Sequence, residues 1–307
     1  MLWLTSLMRS VGRGEISTFF IACVVLVMLL LWSGRREGLV GQNGGFKQLN
    51  NGDIFTPAYS RMHDTLFRDE SKEAYEADLL TEVAGIKRDS TVVEVGSGTG
   101  HRLACLAASS GCRPTGLEDN RGLVSLAQNT YPKGDFAHGS IYTSSGLADR
   151  GRYSHVLVLN FEVYKHADKA RFMRSLYGVL APGGRLALHL VNRDKFDPAV
   201  PASAAFVGVS PQNYTDTRIV RSRVVFDTHD YVSDLKVPSK GDEYVFVETL
   251  TPKDGGQTVQ NRTNLYMPQQ KAVLAQARDA GFSLLERYEL DAVGYNHHHI
   301  YILQKDE

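Results

Sequence analysis

From residue 91 onward, short apolar runs alternate with stretches whose apolar positions recur every three or four residues. Thr91–Val95 (TVVEV), Pro114–Glu118, Phe136–Ile141, His155–Leu159 (HVLVL) and Arg185–Val191 (RLALHLV) read as strands. Helices are expected over Ser71–Ile86, Arg102–Ala108, Leu123–Thr130 and Lys169–Leu180, the last stopped by Pro182-Gly183-Gly184. Strands alternating with helices imply crossover connections and a mostly parallel sheet. Near-continuous apolar strands suit burial on both faces.

After Asn192 the pattern changes. Ile219–Phe226 and Tyr244–Leu250 look like strands separated by turn residues, with no strong helix. An antiparallel insertion over about 193–267 is expected, lid-like in position. Pro268–Ala280 returns to helical periodicity, with Gly281 to end it. Ser283–Glu289 and His298–Gln304 are candidate final strands.

Before residue 54 the character is different again. Following a flank at 1–15, Ile16–Trp32 (ISTFFIACVVLVMLLLW) is apolar apart from Ser17 and Thr18 and carries no charge. It reads as a transmembrane anchor of about the shortest length that spans a bilayer. Arg9 and Arg13 before it nearly balance Arg35 and Arg36 after it, so the charge rule barely orients it. A catalytic domain facing the cytosol is the expectation. Residues 33–53, rich in Gly and Asn, read as a flexible tether to a domain at 54–307.

Composition adds little and excludes something. Lys+Arg and Asp+Glu are both 34, so no global field points to nucleic acid, and no nucleic-acid partner is expected. Cys23, Cys105 and Cys112 show no disulfide or metal spacing. His297-His298-His299 alternate faces on a strand and have no nearby Cys or Asp, so surface residues at a strand edge, or one substrate contact, are expected rather than a metal centre. In Phe226–Tyr231, His229 and Tyr231 are read as turn residues, or pocket-lining ones if the insertion covers a site. Asn213 and Asn261 each begin a glycosylation sequon.

The chemistry concentrates at Glu94-Val95-Gly96-Ser97-Gly98-Thr99-Gly100, where a strand meets a helix. Glycines there allow a tight turn and close approach of a ligand to bare backbone. Glu118, about 20 residues past the loop at the end of the next strand, can accept both hydroxyls of a ribose. A dinucleotide site would have G-x-G-x-x-G. Here the spacing is Gly96-x-Gly98-x-Gly100, with the acid Glu94 in the strand before it.

VVEVGSGTG (92–100), TGLED (115–119), GSIYT (139–143) and LYGVLAPGGRLAL (176–188), in that order, resemble the class I S-adenosylmethionine-dependent methyltransferases. The resemblance implies a Rossmann-like α/β fold, with a seven-stranded mostly parallel sheet and helices on both faces. It implies S-adenosylmethionine as cofactor, with Gly96, Ser97, Gly98 and Gly100 around its methionine and ribose. Glu94 would orient the loop or the amino group, Glu118 would hold the ribose with Asp119 beside it, and Ser140 and Ile141 would lie near the base. AYSRMHDTLF (58–67) resembles a lead-in segment whose Tyr59 approaches the cofactor. Asn160, Tyr164 and His166, at the end of the fourth strand, would face cofactor or substrate. Tyr164 and His166 are the catalytic candidates, His166 as a base for a hydroxyl, against a plain packing role. The expected acceptor is a small or lipid-like molecule methylated on N or O. Protein or RNA methylation, and a non-catalytic binding module, are the alternatives. Nothing in the sequence fixes an oligomeric state.

Overall fold

The computed structural model describes residues 47–143, 151–203, 212 and 215–306. The expected anchor at Ile16–Trp32, and Asn213 of the first sequon, lie outside them. No helix among the described residues is long and apolar enough to cross a membrane.

Seven strands form the main sheet: β2 (Val92–Val95), β3 (Thr115–Glu118), β4 (Asp135–His138), β5 (Tyr153–Val158), β6 (Leu180–Val191), β11 (Phe282–Leu290) and β12 (Tyr295–Lys305). Their order is β11-β12-β6-β5-β2-β3-β4. Pairings from β4 to β6 are parallel, whereas β12 runs antiparallel to both β6 and β11. The expected mostly parallel α/β sheet is therefore present.

Its centre is apolar on both sides because side chains alternate along each strand. On β5, Val156 and Val158 join Phe172, Met173 and Leu176 on one face. Leu157, with Leu159 just beyond it, joins Leu80, Leu106 and Ile300 on the other. The covering helices are α1 (Pro57–Phe67), α2 (Glu70–Glu82), α3 (His101–Ser110), α4 (Arg121–Thr130), α5 (Glu162–Lys165), α6 (Lys169–Val179) and α7 (Gln270–Asp279). Side-chain caps start several of them: Thr56 accepts from the Tyr59 amide, Asp69 from that of Lys72 and Asp168 from that of Arg171. Cys112 is buried and Cys105 half-buried, both as free thiols, and burial pushes both thiols up.

A second sheet of five strands has the order β1-β10-β9-β8-β7. It comprises β1 (Lys47–Asn50), β7 (Arg221–Val225), β8 (His229–Lys236), β9 (Glu243–Pro252) and β10 (Val259–Tyr266). β7 to β10 form an antiparallel meander, as the insertion was expected to. Two details differ from expectation. β8 is a strand where the sequence reads as turn residues, and β10 adds a strand for which the sequence gives no expectation. Residues 47–53, read as part of the tether, also carry regular structure: Lys47–Asn50 pairs in parallel with β10 and Asn51–Ile54 forms a short helical turn. Ile54 is buried beside Tyr59, Leu66 and Tyr231, which holds this stretch in the fold.

Candidate cofactor and acceptor site

The loop after β2 carries the geometry that its glycines predict. Gly96, Gly98 and Gly100 have φ of 74°, 57° and 84°, a left-handed region that costs other residues energy. The Gly96 amide donates to the Leu117 carbonyl at 2.8 Å, tying the loop to β3. The Gly98 amide donates to Glu118 Oε2, and the Asn120 amide to Glu118 Oε1, both at 3.0 Å. The three glycines then differ. A Cβ on Gly100 would lie 2.6 Å from the Phe136 ring, and one on Gly96 would lie 2.3 Å from Glu162 Oε2. A Cβ on Gly98 would meet nothing within 4 Å. Gly98 thus opens onto free space beside Glu118.

Glu118 is 5% exposed, and burial pushes its carboxyl up to about 7; Lys165 opposes that shift, while Glu162 and Asp119 add to it. Asp119 itself is exposed. The Ser97 hydroxyl is buried without a hydrogen-bond partner and turned toward Gly116, whose Cβ would lie 2.6 Å from it. Ile141 is buried in the main core, and the Ser140 hydroxyl accepts from the Tyr142 amide at 3.3 Å.

Beneath the loop lies an ionic network that sequence reasoning did not find. Glu94 and Glu76 are fully buried. Arg102 directs Nε and Nη2 at Glu94 Oε1, each at 2.6 Å, and sits 3.9 Å from Glu76 Oε2. Lys72 Nζ donates to Glu76 Oε1 at 2.5 Å and to Asn160 Oδ1 at 2.6 Å. Burial drives the Glu94 carboxyl up, and Arg102 counters it. Glu94 Oε2 has no protein partner. The Lys72–Glu76 pair carried a signal in its i,i+4 spacing, but nothing local said it would be buried.

The lead-in segment is helix α1, and Tyr59 does not face the loop. Its hydroxyl donates to Glu248 in β9, which also accepts from the Tyr231 hydroxyl at 3.1 Å and Asn261 Nδ2 at 3.1 Å. The residue of α1 that reaches the loop is Asp64, which accepts from Thr99 Oγ1 at 2.7 Å and lies 2.9 Å from His101 Nε2. Those partners hold the Asp64 carboxyl far below the usual range despite burial. A helical offset of five residues separates the two, which is why the motif put the wrong side chain forward. Asn261 is 1% exposed with its amide engaged, so the second sequon is closed to a glycan in the folded chain.

After β5 the chain turns sharply: Asn160 and Phe161 have φ of 43° and 61°. Asn160 is exposed, its side chain held by Lys72. The two expected catalytic residues are corrected by their contacts. Tyr164 is wholly buried, and its hydroxyl accepts from the Val191 amide at 2.9 Å, so it anchors β6. His166 has both ring nitrogens engaged, Nδ1 by the Tyr142 hydroxyl at 3.0 Å and Nε2 by Glu162 Oε1 at 3.2 Å. Its ring stacks on Phe172 with centroids 3.8 Å apart. Burial pushes Tyr142 up to about 12, so it keeps its proton and donates to Nδ1. A base needs a free lone pair, and His166 has none to offer here.

The histidine run is also corrected. β12 lies inside the sheet, and His298 and His299 are buried, at 3% and 8% exposure. His298 Nδ1 lies 3.1 Å from Nε2 of buried His189 in β6, with Phe161, Phe196 and Tyr295 around His298. Burial holds both histidines well below their ordinary value, hence neutral. Tyr231, read as a turn residue, is a buried strand residue.

The family described as "Methyltransferase domain" matches residues 92–184, which hold the glycine loop, Glu118 and the turn after β5. Residues 92–184 thus carry the core of a class I S-adenosylmethionine-dependent methyltransferase domain. Among curated proteins, a demethylmenaquinone methyltransferase of Chlorobaculum parvum is 30% identical over 98 residues, 32% of this chain and 39% of that protein. The chain thus matches about two-fifths of that relative's length. Among solved structures, an S-adenosylmethionine-dependent methyltransferase from Clostridium acetobutylicum superposes with a TM-score of 0.60 at 10% identity, covering 81% of this chain and 98% of that one. CalS10, an amino pentose methyltransferase from Micromonospora echinaspora, gives 0.56 at 19% identity, covering 81% and 96%. At such identities these two show the shared fold.

The residues present suit S-adenosylmethionine. Gly98 faces open space, Glu94 Oε2 is a buried acceptor without a donor, and Glu118 stands beside the opening. Gly96 and Gly98 backbone and Glu94 would hold the methionine end, Glu118 the ribose, and the Ser140–Ile141 stretch the base.

Proposed function

We propose that this protein transfers the methyl group of S-adenosylmethionine to a nitrogen or oxygen of a small-molecule or lipid-like acceptor, and that Ile16–Trp32 holds it at a membrane with the domain on the cytosolic side. The observation that carries the cofactor reading is the opening at Gly98 flanked by Glu118. When bound, the cofactor supplies an activated methyl group together with its own leaving group. What remains for the chain is alignment and exclusion of water. Glu118, already fixed by two backbone amides, presents a pre-oriented carboxylate. Lys72 fixes the Asn160 side chain, and the buried hydroxyl of Tyr164 fixes β6 at Val191. With both ring nitrogens of His166 engaged, the turn after β5 offers no free imidazole as a base. That favours an acceptor whose lone pair is free at neutral pH, such as an amine or an ionised oxygen.

A small acceptor is supported by the kinds of molecule named for the relatives, an amino pentose and a demethylmenaquinone. The apolar, uncharged run Ile16–Trp32 supports membrane attachment and, with it, a lipid-like acceptor. The test uses the full chain in detergent. S-adenosylmethionine is titrated by calorimetry, and then a labelled-methyl assay is run against lipid, metabolite, RNA and protein pools. Binding and label in the lipid or metabolite pool are expected. No binding overturns the enzyme reading, and label confined to RNA or protein overturns the acceptor class.

A further inference from the structure

Glu162, the first residue of α5, was not among the expected site residues, and its position is unusual. Its side chain lies flat against the bare α-carbon of Gly96: a Cβ there would sit 2.3 Å from Oε2 and 2.4 Å from Cδ. The space that the first glycine of the loop leaves free is therefore filled by a carboxylate of the same chain. That carboxylate is 8% exposed and is gripped from its own helical turn by Lys165 Nζ at 2.7 Å and His166 Nε2 at 3.2 Å. Burial opposes its ionisation, but Lys165 and His166 prevail and bring it down to about 2. It is charged at any working pH.

The charges around it leave room for one more cation. Glu94, Glu118 and Glu162 all converge on the loop. Among the described residues, Arg102 contacts Glu94 and Lys165 contacts Glu162, while Glu118 has no cation at ion-pair distance. An ionised acid at the glycine loop, beside a second carboxyl at Glu118 that has no cation at ion-pair distance, is suited to a ligand that brings a positive centre of its own. Methyl donor and demethylated product differ there: the donor has a sulfonium, the product a neutral thioether, and the rest is shared.

We propose that Glu162 is the specificity-determining residue by which the site prefers the charged methyl donor over its neutral product. This rests on the cofactor reading above. It implies that product release is aided by loss of an attraction at Glu162 once the methyl group has left.

The test is calorimetric, on the full chain, with S-adenosylmethionine and S-adenosylhomocysteine as separate titrants. Glu162→Gln keeps the shape and removes the charge. It is expected to weaken donor binding about tenfold, the order of one lost contact between partly buried charges, and to leave product binding within about twofold. Lys165→Met removes the competing cation and is expected to move the donor-to-product ratio in the opposite direction. Thermal unfolding of each variant checks that it is folded, and donor and product are compared within each variant so that general destabilisation cancels. An equal loss for both ligands, an unchanged ratio, or tighter binding of both by Glu162→Gln would overturn the proposal. Failure of the unmodified chain to bind either ligand would instead overturn the cofactor reading.

Discussion

The three glycines of the loop are alike in sequence and in backbone, yet they should answer substitution differently. Gly100→Ala places a methyl group 2.6 Å from the Phe136 ring and 3.3 Å from the Ala127 methyl, at φ 84°. The left-handed conformation costs about 1–2 kcal/mol with a Cβ present, and forcing a methyl into a filled space costs about 1–3 kcal/mol more. A total of about 2–5 kcal/mol is a large share of a domain's ~5–15 kcal/mol. Gly98→Ala, at φ 57° with nothing within 4 Å, bears only the conformational cost of about 1–2 kcal/mol. Its methyl enters the space where the cofactor is expected instead. Urea denaturation with calorimetry of S-adenosylmethionine separates the two. Gly100→Ala should lower the unfolding midpoint more than Gly98→Ala. Gly98→Ala should stay folded and lose at least about tenfold in affinity, or 1.4 kcal/mol. Unimpaired binding by Gly98→Ala would refute the placement of the ligand, and equal midpoints would refute the packing argument.

Glu118 makes stability depend on pH. Its folded-state value is raised to about 7, so the folded chain holds that proton more tightly than the unfolded one, and the contribution present at acid pH is lost as pH rises through 7. Glu118→Gln should therefore be more stabilising at pH 8 than at pH 5, by up to about 3 kcal/mol in urea titrations, and a difference flat with pH would count against it. Arg102→Met strands the Glu94 carboxylate without its cation, while Glu76 keeps Lys72, and should cost about 3–5 kcal/mol; adding Glu94→Gln should recover part of it in a double-mutant cycle. His298→Leu leaves His189 with neither ring nitrogen hydrogen-bonded, since its Nδ1 already lacks a partner, and should cost about 1–3 kcal/mol by thermal or chemical unfolding.

The parts legible in the sequence are those whose physics is local. Gly96-x-Gly98-x-Gly100 announces a turn because only glycine sits comfortably at such φ values. HVLVL announces a central strand because both faces need apolar residues. What stayed hidden depends on neighbours distant along the chain. Lys47–Asn50 (KQLN) has no strand pattern of its own and becomes β1 by pairing with Val259–Arg262. HDYVSDLK, half-buried and polar, looks like a turn until β7 and β9 supply its ladder. The histidines were placed at an edge because sequence cannot tell an edge strand from an interior one, and insertion of β12 between β6 and β11 reverses that reading. Tyr164 and His166 were chosen for their chemical type at a functional address. Their hydrogen-bond partners at Val191, Tyr142 and Glu162 show that both serve position.

Helix α1 joins these levels. Through Tyr59 it closes over the buried Glu248 carboxylate of the second sheet, and through Asp64 it ties to Thr99 and His101 at the glycine loop. Phe67 on the same helix meets Tyr231 and Phe246 of that sheet edge-on. Glu248 is satisfied by hydroxyl and amide donors, with no cation at ion-pair distance among the described residues, so its burial is tolerable only while Tyr59, Tyr231 and Asn261 all stay in place. The second sheet is therefore part of what holds the lead-in helix against the loop. Because Leu49 packs against the same apolar cluster as Tyr59 and Tyr231, the support continues into residues the sequence assigned to a tether. From Lys47 onward the chain thus contributes to the support of α1, and through Asp64 to that of the glycine loop.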